Sequence, residues 1–282
     1  MAIAGVWIRM SSRAADGRLL PAGGREDTMK KTKMLLALAV LTVALATPPV
    51  FAQKTPPAGT KDAMAALEKM ISAIGGRKML ESIQDLTITG MAEMLRFGIT
   101  VPVTIYEKRP DKVRVDMTIV EANMTISQAF DGRQGRFTDP QAGGVVEDMP
   151  AFMAEEFARR AGANQALLSP GSRGVTYALK PKAVLEGQDY IVLEQTLADG
   201  HKTTYFLDPE TYLPYKTATR TFDQNGAEVE AETFSTNYQK VGGGLMVPYA
   251  LRVVENGDEA QRVTVTTVTV NAELDDALFT LK

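Results

Sequence analysis

The chain has 282 residues, 31 Lys and Arg against 34 Asp and Glu, a formal net charge of −3, 45% hydrophobic residues and no cysteine. The lack of cysteine excludes disulfides, a thiol nucleophile, thiolate metal sites and a lipid-modified N-terminal cysteine. The acidic balance argues against a nucleic-acid partner, which needs a basic face, and against an electrostatic hold on anionic lipid.

The first 52 residues read as processing sequence. Lys30, Lys31 and Lys33 form a basic stretch, and residues 34–46 are an apolar run of 13, too short to span a bilayer. Val50 and Ala52 stand at −3 and −1 of a cleavage site before Gln53, so residues 29–52 are expected to be a secretory signal peptide. Met29 opens that signal, which makes residues 1–28 an upstream, mis-assigned start. The secreted remainder has 230 residues with 24 basic and 31 acidic side chains, a net charge of −7. That length suits one domain with a sizeable core.

Residues 53–59, with Pro56-Pro57, read as a flexible leader, and residues 60–282 as a single domain. Thr60 or Asp62 can cap a first helix whose Met64, Leu67, Ile71 and Ile74 recur at steps of three and four, with Gly75-Gly76 ending it. Residues 77–83 can add one more turn. A strand runs from Leu86 toward Met94. Three more follow over residues 99–130, because Val101, Val103 and Ile105, then Val113, Val115, Met117 and Ile119, then Met124, Ile126 and Phe130 alternate with polar or small residues. Pro110 and Asp131-Gly132 mark the turns. Residues 145–148 lead into a second helix, with Asp148 as cap, Phe152, Met153 and Phe157 on one face, Arg159 and Arg160 in the last turn and Gly162 as the stop. Residues 163–174 read as a loop. From residue 175 on the pattern is a β-meander, with turns at Gly187, Asp199-Gly200, Asp208-Pro209, Asn225-Gly226, residues 242–244 and Asn256-Gly257. The fold class is therefore α+β, with about ten or eleven antiparallel strands that must curl, split or close.

Chemistry-bearing patterns are weak. His201 is the only histidine, follows Asp199-Gly200 and reads as a solvated turn residue; one histidine without placed carboxylate partners makes no zinc site. Ser169 and Ser172 lack a glycine-framed elbow, Asp208 and Glu210 read as a β-turn, and Asp275-Asp276 as a solvated terminus. Residues 242–244 lack the Lys-Ser/Thr of a phosphate loop. No catalytic residue, metal ligand or cofactor is expected. Ten methionines follow residue 52, five of them on or beside the helices, which suits either ordinary core packing or an adaptable apolar cavity.

Residues 107–115 (EKRPDKVRV), the run Ala129-Phe130-Asp131-Gly132 through Pro140, residues 205–214 (YFLDPETYLP) and Leu278-Phe279-Thr280-Leu281 resemble, in order and spacing, the LolA-like periplasmic lipoprotein carriers and the broader outer-membrane lipoprotein-sorting group. Tyr106 and Val115 stand where close members often carry tryptophan. The resemblance implies a curved antiparallel half-barrel with helices over its concave face, a soluble periplasmic monomer, and a cavity for the acyl chains of lipoproteins or other lipids. It implies docking proteins at the inner and outer membranes as partners. It makes residues 278–281 a closing strand. It puts Arg109 in the place of an arginine that hydrogen-bonds lid helices and holds the empty cavity shut. Val103, Ile105, Val115, Met117 and Ile126 become the cavity lining, and Phe152, Met153 and Phe157 the lid. A lipid- or envelope-stress-sensing module on the same fold is the alternative.

Overall fold

The computed structural model describes residues 59–139, 142–223 and 226–282. The upstream extension, the signal peptide and all of the leader except Gly59 lie outside the described residues.

Helix α1 (Lys61–Ala73) begins at Thr60, whose Oγ1 accepts the Ala63 N–H at 3.2 Å. It buries Ala63, Ala66, Leu67, Met70 and Ile71. Gly75 and Gly76 follow with φ of +133° and +85°, values that favour glycine, and the short α2 (Arg77–Ser82) comes next. Strands β1 (Asp85–Met94), β2 (Ile99–Lys108), β3 (Lys112–Ile119), β4 (Met124–Phe130), β5 (Gly135–Asp139) and β6 (Val145–Asp148) form one meander. Helix α3 (Ala151–Leu168) follows. Strands β7 (Thr176–Leu185), β8 (Gln188–Thr196), β9 (Lys202–Leu207), β10 (Pro214–Phe222), β11 (Glu228–Val241), β12 (Leu245–Glu255) and β13 (Asp258–Val270) form a second meander.

The thirteen strands make one open sheet in the order β6-β5-β4-β3-β2-β1-β13-β12-β11-β10-β9-β8-β7. Every ladder is antiparallel, and only β1–β13 joins strands far apart in sequence. The consecutive strands β6 and β7 lie at opposite edges, and α3 is the connection between them.

Cross-strand register sorts the side chains. Val103 faces Met117, Ile105 faces Val115, and Met117 faces Ile126, so these share one face with Leu86 and Ile88 of β1. That face packs into one core cluster with α1, α2 and α3. The other face is polar over much of its area, as in the Lys180–Glu194–Lys202 and Lys216–Glu232 pairs.

Several expectations are corrected. The described residues form 13 strands rather than about ten or eleven. Residues 145–148 are themselves an edge strand, paired with β5. Asp148 caps no helix: Pro150 holds the cap position, and the Asp148 carboxylate takes a hydrogen bond from Gln134 and pairs with Arg136 at 3.3 Å. Gly162 does not stop α3, and residues 163–168 are helix, not loop. A mid-helix glycine costs only about 1 kcal/mol, less than burying Ala166, Leu167 and Leu168 returns. The stop is Ser169, which precedes Pro170 and so disfavours the helical region. Arg159 and Arg160 therefore lie in the middle of α3.

Residues 278–281 form no strand. A 3-10 turn (Asp276–Phe279) and the residues after it lie on the outer face, where Arg114 donates to the Leu278 carbonyl at 2.7 Å and Arg136 to that of Leu281 at 3.2 Å. Asp276 is not simply solvated: Lys108 and Lys112 each pair with it at 2.6 Å and hold its carboxyl down at about 2.

The β1–β13 seam carries a bulge between Thr89 and Gly90. A Cβ on Gly90 would stand 2.4 Å from the Thr264 carbonyl oxygen, which is backbone and cannot swing aside. Gly90→Ala is expected to destabilise the fold by about 2 kcal/mol, read as a lower thermal midpoint; an unchanged midpoint would mean the seam can spread.

Candidate functional site

The meanders give the inner face two chemistries. On β1–β4 it is aliphatic and closed over by helices. On β8–β11 the same face is built from Gln195, Thr203, Tyr205, Thr217, Thr219, Thr221, Ala231 and Thr233, which register places side by side: Gln195 opposite Thr203, Thr203 opposite Thr219, Tyr205 opposite Thr217, and Thr217 opposite Thr233. Above this floor runs α3, which turns Ala158, Gly162, Ala163 and Ala166 toward it. Between them lies a cavity of about 630 Å³, inside the range of small-molecule sites. Small side chains leave this space, and a Cβ built on Gly162 meets nothing within 4 Å.

Ion pairs and hydrogen bonds hold α3 over the sheet. Arg160 donates from Nε (3.1 Å) and Nη2 (2.9 Å) to Glu107 on β2, and both side chains are largely shielded from water. Arg159 pairs with Glu155 and Asp199 at 3.3 Å each. Arg77 of α2 caps the C-terminus of α3 through the Leu168 carbonyl at 2.6 Å, and Gln165 donates to the Pro110 carbonyl at 3.2 Å. Near the N-terminal end, Phe152 packs on Phe222 with ring centroids 5.5 Å apart, and Glu156 accepts the Phe222 N–H.

The cavity floor is polar but mostly internally bonded. Gln195 donates to the Tyr177 hydroxyl and accepts from that of Tyr205. Burial pushes the Tyr205 hydroxyl up to about 12 and that of Tyr177 further, so both stay neutral. His201 lines the cavity rather than pointing into solvent, with its Nε2 2.9 Å from Thr219 Oγ1. Burial lowers its pKa from the usual 6.5, the nearby Arg159 adds to this, and Asp199 opposes it.

Arg109 lies away from this cavity. Its guanidinium donates to the carbonyls of Leu80 (2.7 Å) and Glu81 (3.3 Å), the unpaired C-terminal end of α2, as a cation should at that end of a helix. Its Nε is buried without a partner, and burial lowers its pKa against an opposing pull from Glu81. Val103, Ile105, Val115, Met117, Ile126 and Phe157 sit in the closed core, with Met153 packed against it. None of them lines the cavity; Phe152 is spent on Phe222. The threonine floor is what sequence reading missed. Its signal is present in Lys216-Thr217-Ala218-Thr219-Arg220-Thr221, a strand whose inward positions carry threonine where the first meander carries valine and isoleucine.

Among the described residues no group of three or more His, Asp or Glu side chains could share a metal ion, and no helix is long and apolar enough to cross a membrane.

No family model matches this chain, and no curated protein matches it in sequence. Solved structures do match in fold. A domain named for outer membrane lipoprotein sorting, from Vibrio parahaemolyticus, is 16% identical with a TM-score of 0.51, over 77% of this chain and 97% of that one. A LolA superfamily protein from Nitrosomonas europaea is 15% identical with a TM-score of 0.51, over 78% and 97%. A DUF1329 family protein from Desulfovibrio piger is 15% identical with a TM-score of 0.48, over 78% and 98%. The fold is thus LolA-like.

The neutral His201 ring contributes fully above about pH 6.5, and that contribution is lost as the pH falls below the ordinary value toward the depressed folded one. The thermal midpoint should therefore drop more steeply between pH 7.5 and 5 in the native protein than in His201→Gln. Parallel slopes would remove His201 from the account.

Proposed function

We propose that this protein is a non-catalytic carrier of the bacterial envelope, one that binds acyl chains of lipoproteins or other lipids and moves them between membranes. The observation that carries this is the cavity of about 630 Å³ between α3 and the sheet, on a LolA-like fold. Threonine and alanine methyls supply hydrocarbon to that cavity. Burying a methylene is worth about 0.8 kcal/mol, so a long acyl chain offers on the order of 10 kcal/mol of transfer energy.

In this reading the sheet is a curved half-barrel with its helices on the concave side, and α3 is the lid. Movement of α3 would extend the cavity over the aliphatic half of the inner face, where Val103, Ile105, Val115, Met117 and Ile126 would receive chain alongside Phe152, Met153 and Phe157. Arg109 holds α2, and α2 holds α3 through Arg77, so Arg109 is the latch that favours the closed, empty state. The setting is the periplasm, the working form a monomer, and the partners are docking proteins at the two membranes. No cofactor is required.

The protein comprising residues 53–282, purified without detergent, should show discrete added masses in native mass spectrometry. Acylated ligand at a hundred times its Kd should stabilise it by about 2.7 kcal/mol, a rise in thermal midpoint of about 5–10 °C for a domain of this size. Neither added mass nor thermal rise with any acylated ligand would sink the carrier reading. A stable protein partner retained with lipid bound would favour the sensing alternative. Arg109→Leu should slow ligand release by weakening closure; unchanged release kinetics would remove Arg109 as the latch.

A further inference from the structure

The cavity floor contains two threonine hydroxyls that open onto the cavity and bond no other described residue. Thr217 and Thr233 are cross-strand partners at the cavity, 6% and 3% exposed, and neither side-chain hydroxyl has a hydrogen-bond partner among the described residues. Hydroxyls that line a cavity without an internal partner are free to donate to a ligand there. One row further along the same face, Val253 stands opposite Thr233. An aliphatic residue is therefore accepted at the adjoining inward position, and a purely hydrocarbon-binding floor would use valine at 217 and 233 as well. Next to them, Gln195 has spent its oxygen on Tyr205 and one N–H on Tyr177, which leaves its second N–H.

Most charges around the cavity are already committed, and the further lining cation, Arg173, is exposed to solvent. Arg159 bonds Glu155 and Asp199, Arg160 bonds Glu107, and Glu156 bonds the Phe222 N–H. A carboxylate or phosphate placed on this floor would find only the solvent-screened Arg173 as counter-ion, whereas a neutral acceptor would find hydroxyl and amide donors.

Resting on the carrier reading, we infer that the cavity binds the neutral ester or amide linkage of an acylated ligand, with its carbonyl oxygens accepting from the Thr217 and Thr233 hydroxyls and the Gln195 amide. The hydrocarbon then runs beneath the alanine and glycine stripe of α3. Two sources share this chemistry, the acylated end of a protein and a glycerolipid.

The test compares 1-decanoylglycerol with 1-O-decylglycerol, which replaces the ester by an ether, and with an N-decanoylated tetrapeptide, by titration in native mass spectrometry. The native protein should bind the ester about tenfold more tightly than the ether. The Thr217→Val/Thr233→Val variant should lose that preference while keeping ether binding, and Thr217→Ser/Thr233→Ser should retain it. Valine is β-branched and suits a strand, and the single variants give the same readout if the pair fails to fold. Equal binding of ester and ether by the native protein would overturn the linkage assignment and leave the carrier standing. Failure of all three probes to bind would overturn the carrier reading and the assignment with it. Tighter binding of the peptide supports the assignment with an acylated protein as source, and tighter binding of the glyceride supports it with a glycerolipid.

Discussion

The structure depends on a topological constraint: two strands consecutive in sequence, β6 and β7, stand at opposite edges of a thirteen-strand sheet. Twelve inter-strand gaps at about 4.8 Å would set those edges about 58 Å apart if the sheet were flat. Helix α3 has 18 residues and reaches about 27 Å. The roughly nine linking residues add at most about 30 Å when fully extended. Those residues include a 3-10 turn at Gly171–Arg173 and so are not fully extended. A flat sheet would leave that connection almost no slack, and α3, which packs in the inner-face core and lines the cavity, is the segment that makes the crossing. The packed core under α3 and the cavity beside it are two results of one chain path.

What α3 crosses decides which part of the space closes. Over the first meander it meets Val115, Met117 and Ile126, and burial of apolar side chains at about 25 cal/mol per Å² shuts the gap. Over the second it meets threonine, tyrosine and glutamine, and it presents Ala158, Gly162, Ala163 and Ala166, none long enough to fill the space. The partly buried Arg160–Glu107 pair and the Arg77 cap fix the height of the helix above that floor. Charged hydrogen bonds of this kind are worth about 1.5–3 kcal/mol each, enough to hold a helix whose cavity side gains little from packing.

Much of the strand pattern was legible because period-2 alternation and turn residues are local signals. Strands β8 and β9 lie between the turns read at Gly187, Asp199-Gly200 and Asp208-Pro209, and β12 between those read at residues 242–244 and Asn256-Gly257. The errors arose where long-range packing outweighed a local cue. Gly162 reads as a stop only until Ala166, Leu167 and Leu168 are seen to be buried, and Asp148 reads as a cap only until β5 claims it. Val103, Ile105, Val115, Met117 and Ile126 lie in a packed core, and alternation alone does not distinguish a core that stays filled from one that opens. His201 looked solvated because its neighbours form a turn; the wall that shields it, α3 with Arg159, is 42 residues earlier in the chain.

The seam between β1 and β13 has a kinetic consequence. Every other ladder joins neighbours in sequence, so each meander can zip up through short loops. Met91 and Thr264, which pair across the seam, are 173 positions apart, and closing so long a loop has a high entropic cost until other contacts shorten it. The two meanders are thus expected to form early as separate half-sheets. Their junction is then the late, rate-setting event, and until it forms each half-sheet exposes an unpaired edge to any chaperone, or any second chain, that meets it during folding.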